Sequence, residues 1–90
     1  MKYFDWNEQK NQWLKGERKI SFETVVSYLE GENILDKINY PNIEKYPNQM
    51  IFIIEHENYA YLVPFVEDDN KIFLKTIIPS RKATEKYLRN

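Results

Sequence analysis

Phe22, Val25, Val26 and Leu29 recur at the i, i+3, i+4, i+7 spacing of a helix buried along one side, and this is the clearest helical period in the chain. Ser21 stands where an N-cap belongs and Gly31 where the helix should stop. Upstream, Lys2 to Asp5 reads as a short strand. A helix capped by Asp5 or Asn7 follows, with Trp6, Trp13 and Leu14 on its apolar side and Gly16 near its end. Lys10 lies away from that apolar side, and Lys15 and Arg18, three apart, share a face if the helix continues.

The second half of the chain changes period. Gln49 to Glu55, Tyr59 to Val66 and Lys71 to Ile78 are rich in β-branched and aromatic residues. The polar turns Glu57-Asn58 and Asp68-Asp69-Asn70 join them, which predicts an antiparallel three-strand meander. Pro64 inside the middle run demands either a bulge or an arrangement that leaves its N–H side free. Strict alternation on the last run sends Phe73, Lys75 and Ile77 one way and Ile72, Leu74, Thr76 and Ile78 the other. Asn33 to Ile38 reads as a further short strand, and Asn39 to Asn48, with two prolines and three asparagines, as a loop. Pro79 closes the last strand and Ser80 caps a short helix with Ala83, Thr84, Tyr87 and Leu88 on one face. The expected fold is α+β, a single domain over residues 1–90. A small antiparallel sheet, the meander plus a short N-terminal strand, carries two N-terminal helices and a short C-terminal one.

Composition narrows the chemistry. Ninety residues with 42 % apolar and 30 % charged side chains suit one globular domain with a modest core. The net charge of −1 supplies no global field for nucleic acid, so any RNA contact has to rest on a local patch. The chain has no cysteine and one histidine, His56, which reads as an exposed residue near a hairpin turn. That inventory rules out a structural zinc site, and no Gly-rich phosphate loop or calcium loop is present, so no metal or cofactor is expected. The longest apolar run, Met50 to Ile54, is too short to cross a bilayer, and the first residues do not resemble a signal peptide. A cytoplasmic protein without membrane contact is the expectation.

Two places could carry chemistry. Arg81 and Lys82 open the C-terminal helix, where cations oppose the helix dipole by about 0.3–1 kcal/mol each and a bound anion would relieve the conflict. A solvated pair of surface charges is the plainer alternative. Glu44-Lys45-Tyr46 in the loop sets a carboxylate, an ammonium and a phenol in a row, an assortment that acid–base chemistry can use and that a polar loop also contains.

Phe4-Asp-Trp-Asn-Glu-Gln-Lys-Asn11, Trp13-Leu-Lys15 and Ile20-Ser-Phe-Glu23 resemble the opening of BrnT-type toxins. Ile77-Ile-Pro-Ser-Arg-Lys-Ala-Thr84 is similar to that family's ending, Ile-Ile-Ser-Ala-Arg-x-Ala-Thr. Lys10, Asn11, Ser21, Phe22, Glu23, Arg81, Ala83 and Thr84 match residue by residue. The chain departs at Arg18-Lys19, at Glu44-Lys-Tyr-Pro-Asn48 and at Pro79. The resemblance implies a RelE-like ribonuclease fold and the toxin of a type II toxin–antitoxin system, an endoribonuclease neutralised by a cognate antitoxin protein in a hetero-oligomer. Metal-free RNA cleavage needs cations for the phosphate and a base and an acid for the two oxygens. Arg81 is the expected phosphate clamp, with Lys82 or Lys45 beside it, and Glu44 or Tyr46 as base or acid. Lys10 and Lys15 are the expected contacts to the RNA backbone. The competing expectation is a non-catalytic module that keeps the fold and docks a protein.

Overall fold

The computed structural model describes residues 2–39, 45 and 48–89. The elements run β1 (Tyr3–Asp5), α1 (Glu8–Glu17), α2 (Phe22–Glu30), β2 (Asp36–Asn39), β3 (Gln49–His56), β4 (Tyr59–Glu67), β5 (Lys71–Leu74), β6 (Ile78–Pro79) and α3 (Arg81–Leu88). The strands form one sheet in the order β1-β5-β4-β3-β2, with β6 paired to β4. The α+β class and the meander are as expected, but the sheet is mixed, because β1 runs parallel to β5. The short strand before the loop starts at Asp36 rather than Asn33. No helix among the described residues is long and apolar enough to cross a membrane.

The helix caps follow local chemistry. Asn7, rather than Asp5, caps α1 by accepting from the Lys10 N–H at 3.0 Å, and the helix continues through Gly16 to Glu17. Ser21 caps α2 by accepting from the Thr24 N–H at 3.1 Å, and Gly31 ends it. Phe22 and Val25 are fully buried, and Val26 and Leu29 pack half-buried against the same core.

Alternation along the strands separates two cores. Phe52, Ile54, Val63, Phe65 and Leu74 point to one face, where they meet Leu14, Phe22 and Val25 of α1 and α2. Phe52 and Phe65 stack there at 4.1 Å between centroids, and Trp6 stacks on Phe22 at 5.7 Å. Ile51, Ile53, Ala60 and Leu62 point to the opposite face, where Ala83, Tyr87 and Leu88 of α3 cover them. Two helices thus lie on one side of the sheet and α3 on the other.

Pro64 sets the course of the chain's last quarter. It stays in register with Ile51 of β3, so no bulge forms on that side. Its carbonyl accepts from the Lys75 N–H at 2.8 Å, so its donor-less nitrogen faces β5 and β6. The ladder breaks there. Phe65 pairs with Leu74 and Leu62 with Ile78, so the three residues Lys75 to Ile77 lie opposite only Val63 and Pro64. The extra residue reverses the side-chain phase, and Ile77 joins Leu74 in the core instead of pointing away from it. The Ile77 carbonyl, pulled out of the ladder, accepts from the Arg18 guanidinium. Pro79 pairs with Tyr61 of β4 and is the last residue of β6, so it closes the strand as expected.

Asn11 ties α1 to α2. It is fully buried, its side-chain oxygen accepting from the Phe22 N–H at 2.8 Å and its nitrogen donating to the Glu23 carboxylate at 2.8 Å. That donation, with the Glu23 backbone N–H, holds the Glu23 carboxyl below its ordinary range. Asn11→Leu keeps the volume and leaves the Phe22 N–H buried without a partner, which costs about 1–3 kcal/mol. Urea unfolding should show a loss of that size, and a midpoint equal to the parent's would contradict the role given to Asn11.

Candidate functional site

α3 is held at both ends. Ser80 caps it, accepting from the Ala83 N–H at 3.1 Å, while the Ser80 N–H donates to the Ala60 carbonyl at 3.0 Å. The buried Thr84 hydroxyl donates to the Ser80 carbonyl at 2.7 Å and accepts from the Ala60 N–H at 2.9 Å. The start of the helix therefore satisfies the backbone of β4 just past the point where β6 stops. At the far end the Tyr87 hydroxyl donates to the Asp36 carboxylate on β2. This bond is the main cause holding Asp36 below the ordinary carboxylate range, with the Lys37 N–H second. The same bond, and then burial, raises Tyr87 above the ordinary phenol.

What this framework leaves outward carries Arg81, Lys82 and Lys86 with one carboxylate, Glu85, among them. Arg81 and Lys82 are exposed, and among the described residues neither side chain makes a hydrogen bond or ion pair. The first turns of α1 and α2 carry Glu8 and Glu23, whereas that of α3 carries no acid. The two residues do not face the same place. Lys82 and Lys86, four apart, line a groove of about 260 Å³ between α3 and the sheet, with Ile38, Ile51, Ile53 and Leu62 beneath them. Arg81, one step round the helix, lies outside that groove.

The other expected site residues are not gathered around Arg81. Lys10 and Lys15 belong to α1, in the layer across the sheet. Lys10 lies 4.6 Å over the Trp13 ring, and Lys15 is 3.8 Å from the Glu23 carboxylate. Glu44 and Tyr46 lie outside the described residues. Lys45 is an exposed turn residue. Beyond it β3 begins where Gln49 pairs with Val66, six positions along β4 from the Ala60 that receives Ser80. At about 3.3 Å per residue that is roughly 20 Å, so the strand ladder does not itself bring the start of β3 to Arg81.

Two readings change. His56 is no exposed turn residue: its side chain is 15 % exposed and its Nδ1 is bonded to the Tyr28 hydroxyl at 2.8 Å. Its Nε2 lies 3.1 Å from the Glu57 carboxylate without the alignment of a hydrogen bond, and Tyr28 and Tyr61 flank the ring. Arg18, expected on a cationic face with Lys15, instead reaches Ile77 and lies 4.9 Å from the Trp13 ring centroid. Lys86 was missed, although its i, i+4 relation to Lys82 is visible in the sequence. The Asp36–Tyr87 bond has no local signal, because its partners are 51 residues apart. Among the described residues no group of three or more His, Asp and Glu side chains could hold a metal ion.

No protein-family profile matches the chain, and no curated protein or solved structure matches it significantly.

The Asp36–Tyr87 bond predicts a two-sided pH dependence. Asp36 is depressed, so its contribution is complete above the ordinary carboxylate pKa of about 4 and is lost as pH falls through the lowered value. Tyr87 is raised, so its contribution is complete below about 10 and is lost as pH rises through the higher value. The stability difference between parent and Tyr87→Phe should be greatest between about pH 5 and pH 9 and shrink at both extremes. A difference constant across that range in urea titrations would contradict the coupling.

Proposed function

We propose that this chain is a metal-independent endoribonuclease, the toxin of a toxin–antitoxin pair, in which Arg81 holds the scissile phosphate. One observation carries the reading. Of the eight residues behind the BrnT resemblance, six have structural work: Asn11, Ser21, Phe22, Glu23, Ala83 and Thr84 cap, bury or tie elements together. Lys10 lies over Trp13. Of the polar side chains among the eight, that of Arg81 alone makes no hydrogen bond, ion pair or ring contact among the described residues, and it stands exposed at a helix start whose first turn holds no acid. An arginine kept where it opposes the helix dipole suits a residue whose partner is an anion.

The chemistry follows from those groups. A base removes the proton of the 2′-OH, and that oxygen attacks the neighbouring phosphorus. The planar fork of Arg81 directs two N–H donors at the non-bridging oxygens, where negative charge grows. The bond from phosphorus to the 5′ oxygen breaks, an acid protonates that oxygen, and the products are a 2′,3′-cyclic phosphate and a 5′-OH. Glu44 or Tyr46 is the base or the acid in this reading, with Lys45 as a further cation for the phosphate. Lys10 and Lys15, across the sheet, take no part in holding the phosphate. A cognate antitoxin protein keeps the enzyme inactive in a hetero-oligomer. The second reading, a non-catalytic docking module of the same fold, is favoured by the aliphatic groove beside α3.

Purified protein free of any partner should cleave single-stranded RNA in EDTA and leave cyclic phosphate ends. Arg81→Ala should slow cleavage by about 10²–10³, the usual effect of losing one transition-state donor. Arg81→Lys should recover only part, since an ammonium lacks the fork. Melting should barely shift, because an exposed cation contributes little to stability. Full activity in Arg81→Ala would end the assignment. Cleavage only with added magnesium or manganese would overturn the metal-free route, and no cleavage under any condition would leave the docking module.

A further inference from the structure

We infer that the groove between α3 and the sheet docks an acidic amphipathic helix from a partner protein. Its floor is aliphatic: Ile51 and Ile53 are buried, while Ile38 and Leu62 remain half-exposed and available to cover. Bases are bound by stacking on aromatic or guanidinium planes, and among the described residues the single ring lining the groove, Tyr87, has its hydroxyl committed to Asp36. The floor therefore suits leucine-like side chains and not RNA.

The rim selects the charge of the occupant. Lys82 and Lys86 border the groove, and among the described residues no carboxylate lines it. Asp36 sits at the Tyr87 end, engaged with that hydroxyl, and Lys86 acts on it. The chain as a whole is −1, so the positive field is local to this edge and should fade with added salt. Two lysines four apart are separated by about 6 Å along the axis, which matches carboxylates four apart on a facing helix.

A second copy of the chain is a poor occupant. The apolar sides of α1 and α2 are spent on their own sheet, where Leu14, Phe22 and Val25 are fully buried. The pattern sought is thus foreign: apolar residues at i and i+4, or i and i+3, flanked by Asp or Glu. Docking at Lys82 and Lys86 does not depend on the ribonuclease reading, since Arg81 lies outside the groove.

A random peptide display library selected on the immobilised full chain, followed by anisotropy of the enriched peptides, tests the docking without using RNA cleavage. Enriched peptides should carry the acidic amphipathic pattern and bind at least tenfold more weakly to a K82E/K86E double variant. The double variant should instead prefer the same peptides with Glu replaced by Lys. Ile38→Lys should also weaken binding, and melting curves on both variants exclude unfolding as the cause. Four results would overturn the inference: no enrichment, peptides without acids, equal binding to K82E/K86E, or displacement of bound peptide by oligouridine. Sedimentation showing a dimer that Ile38→Lys dissociates would also overturn it, assigning the groove to a second copy.

Discussion

Strand β4 has no proton to donate at Pro64, and the last quarter of the protein is built around that missing donor. A neighbour could not run past it in unbroken register without orphaning a carbonyl. The chain inserts one residue opposite, and three consequences follow from that residue. Ile77 enters the core on the side of Leu74, the Ile77 carbonyl turns to the Arg18 guanidinium, and the two residues of β6 regain β4 further along. From there the chain crosses to the uncovered face. The Ser80 and Thr84 contacts with Ala60 then take up the ladder beyond β6, so α3 starts at a defined place with its first turn facing outward.

That arrangement divides scaffold from chemistry. Most of the polar residues that the motif resemblance picks out are fasteners, and two of them, Asn11 and Thr84, are buried. Asn11 bridges two helices through a buried amide, and Thr84 stitches a helix to a strand through one hydroxyl. Fasteners of this kind are satisfied polar groups in the core, costly to remove because their partners would be left unpaired. Arg81, Lys82 and Lys86 are satisfied by nothing of the kind. Their environments differ, one at the helix start and two along an aliphatic groove, and this is why a phosphate and a protein segment are assigned to different sides of the same short helix.

Much of the architecture was legible because it is set locally. Ser21 and Ser80 are caps whose chemistry acts within one turn, and the period of Phe22, Val25, Val26 and Leu29 needs no tertiary information. The meander was legible for the same reason, its turns being short. What failed depends on distant partners. The phase of Ile77 is reversed by a proline on the neighbouring strand, which alternation along its own strand cannot register. The parallel pairing of β1 joins Tyr3 to Lys71 across nearly the whole chain. His56 looked like a turn residue because Tyr28, which holds its ring, comes from α2. The candidate site was half legible: a helix start with two cations is visible in the sequence, but the separation of Arg81 from Lys82 and Lys86 requires knowing which side of α3 meets the sheet.

The central claim is that the first turn of α3 holds a phosphate of RNA. The most direct measurement is an amide shift map of the labelled full chain titrated with single-stranded oligonucleotide carrying 2′-deoxy sugars, which binds without being cut. Shifts concentrated at Ser80 to Thr84, and abolished in Arg81→Ala, are the result this account predicts. Shifts confined to the Lys10 and Lys15 side of α1, or unchanged by that substitution, would contradict it.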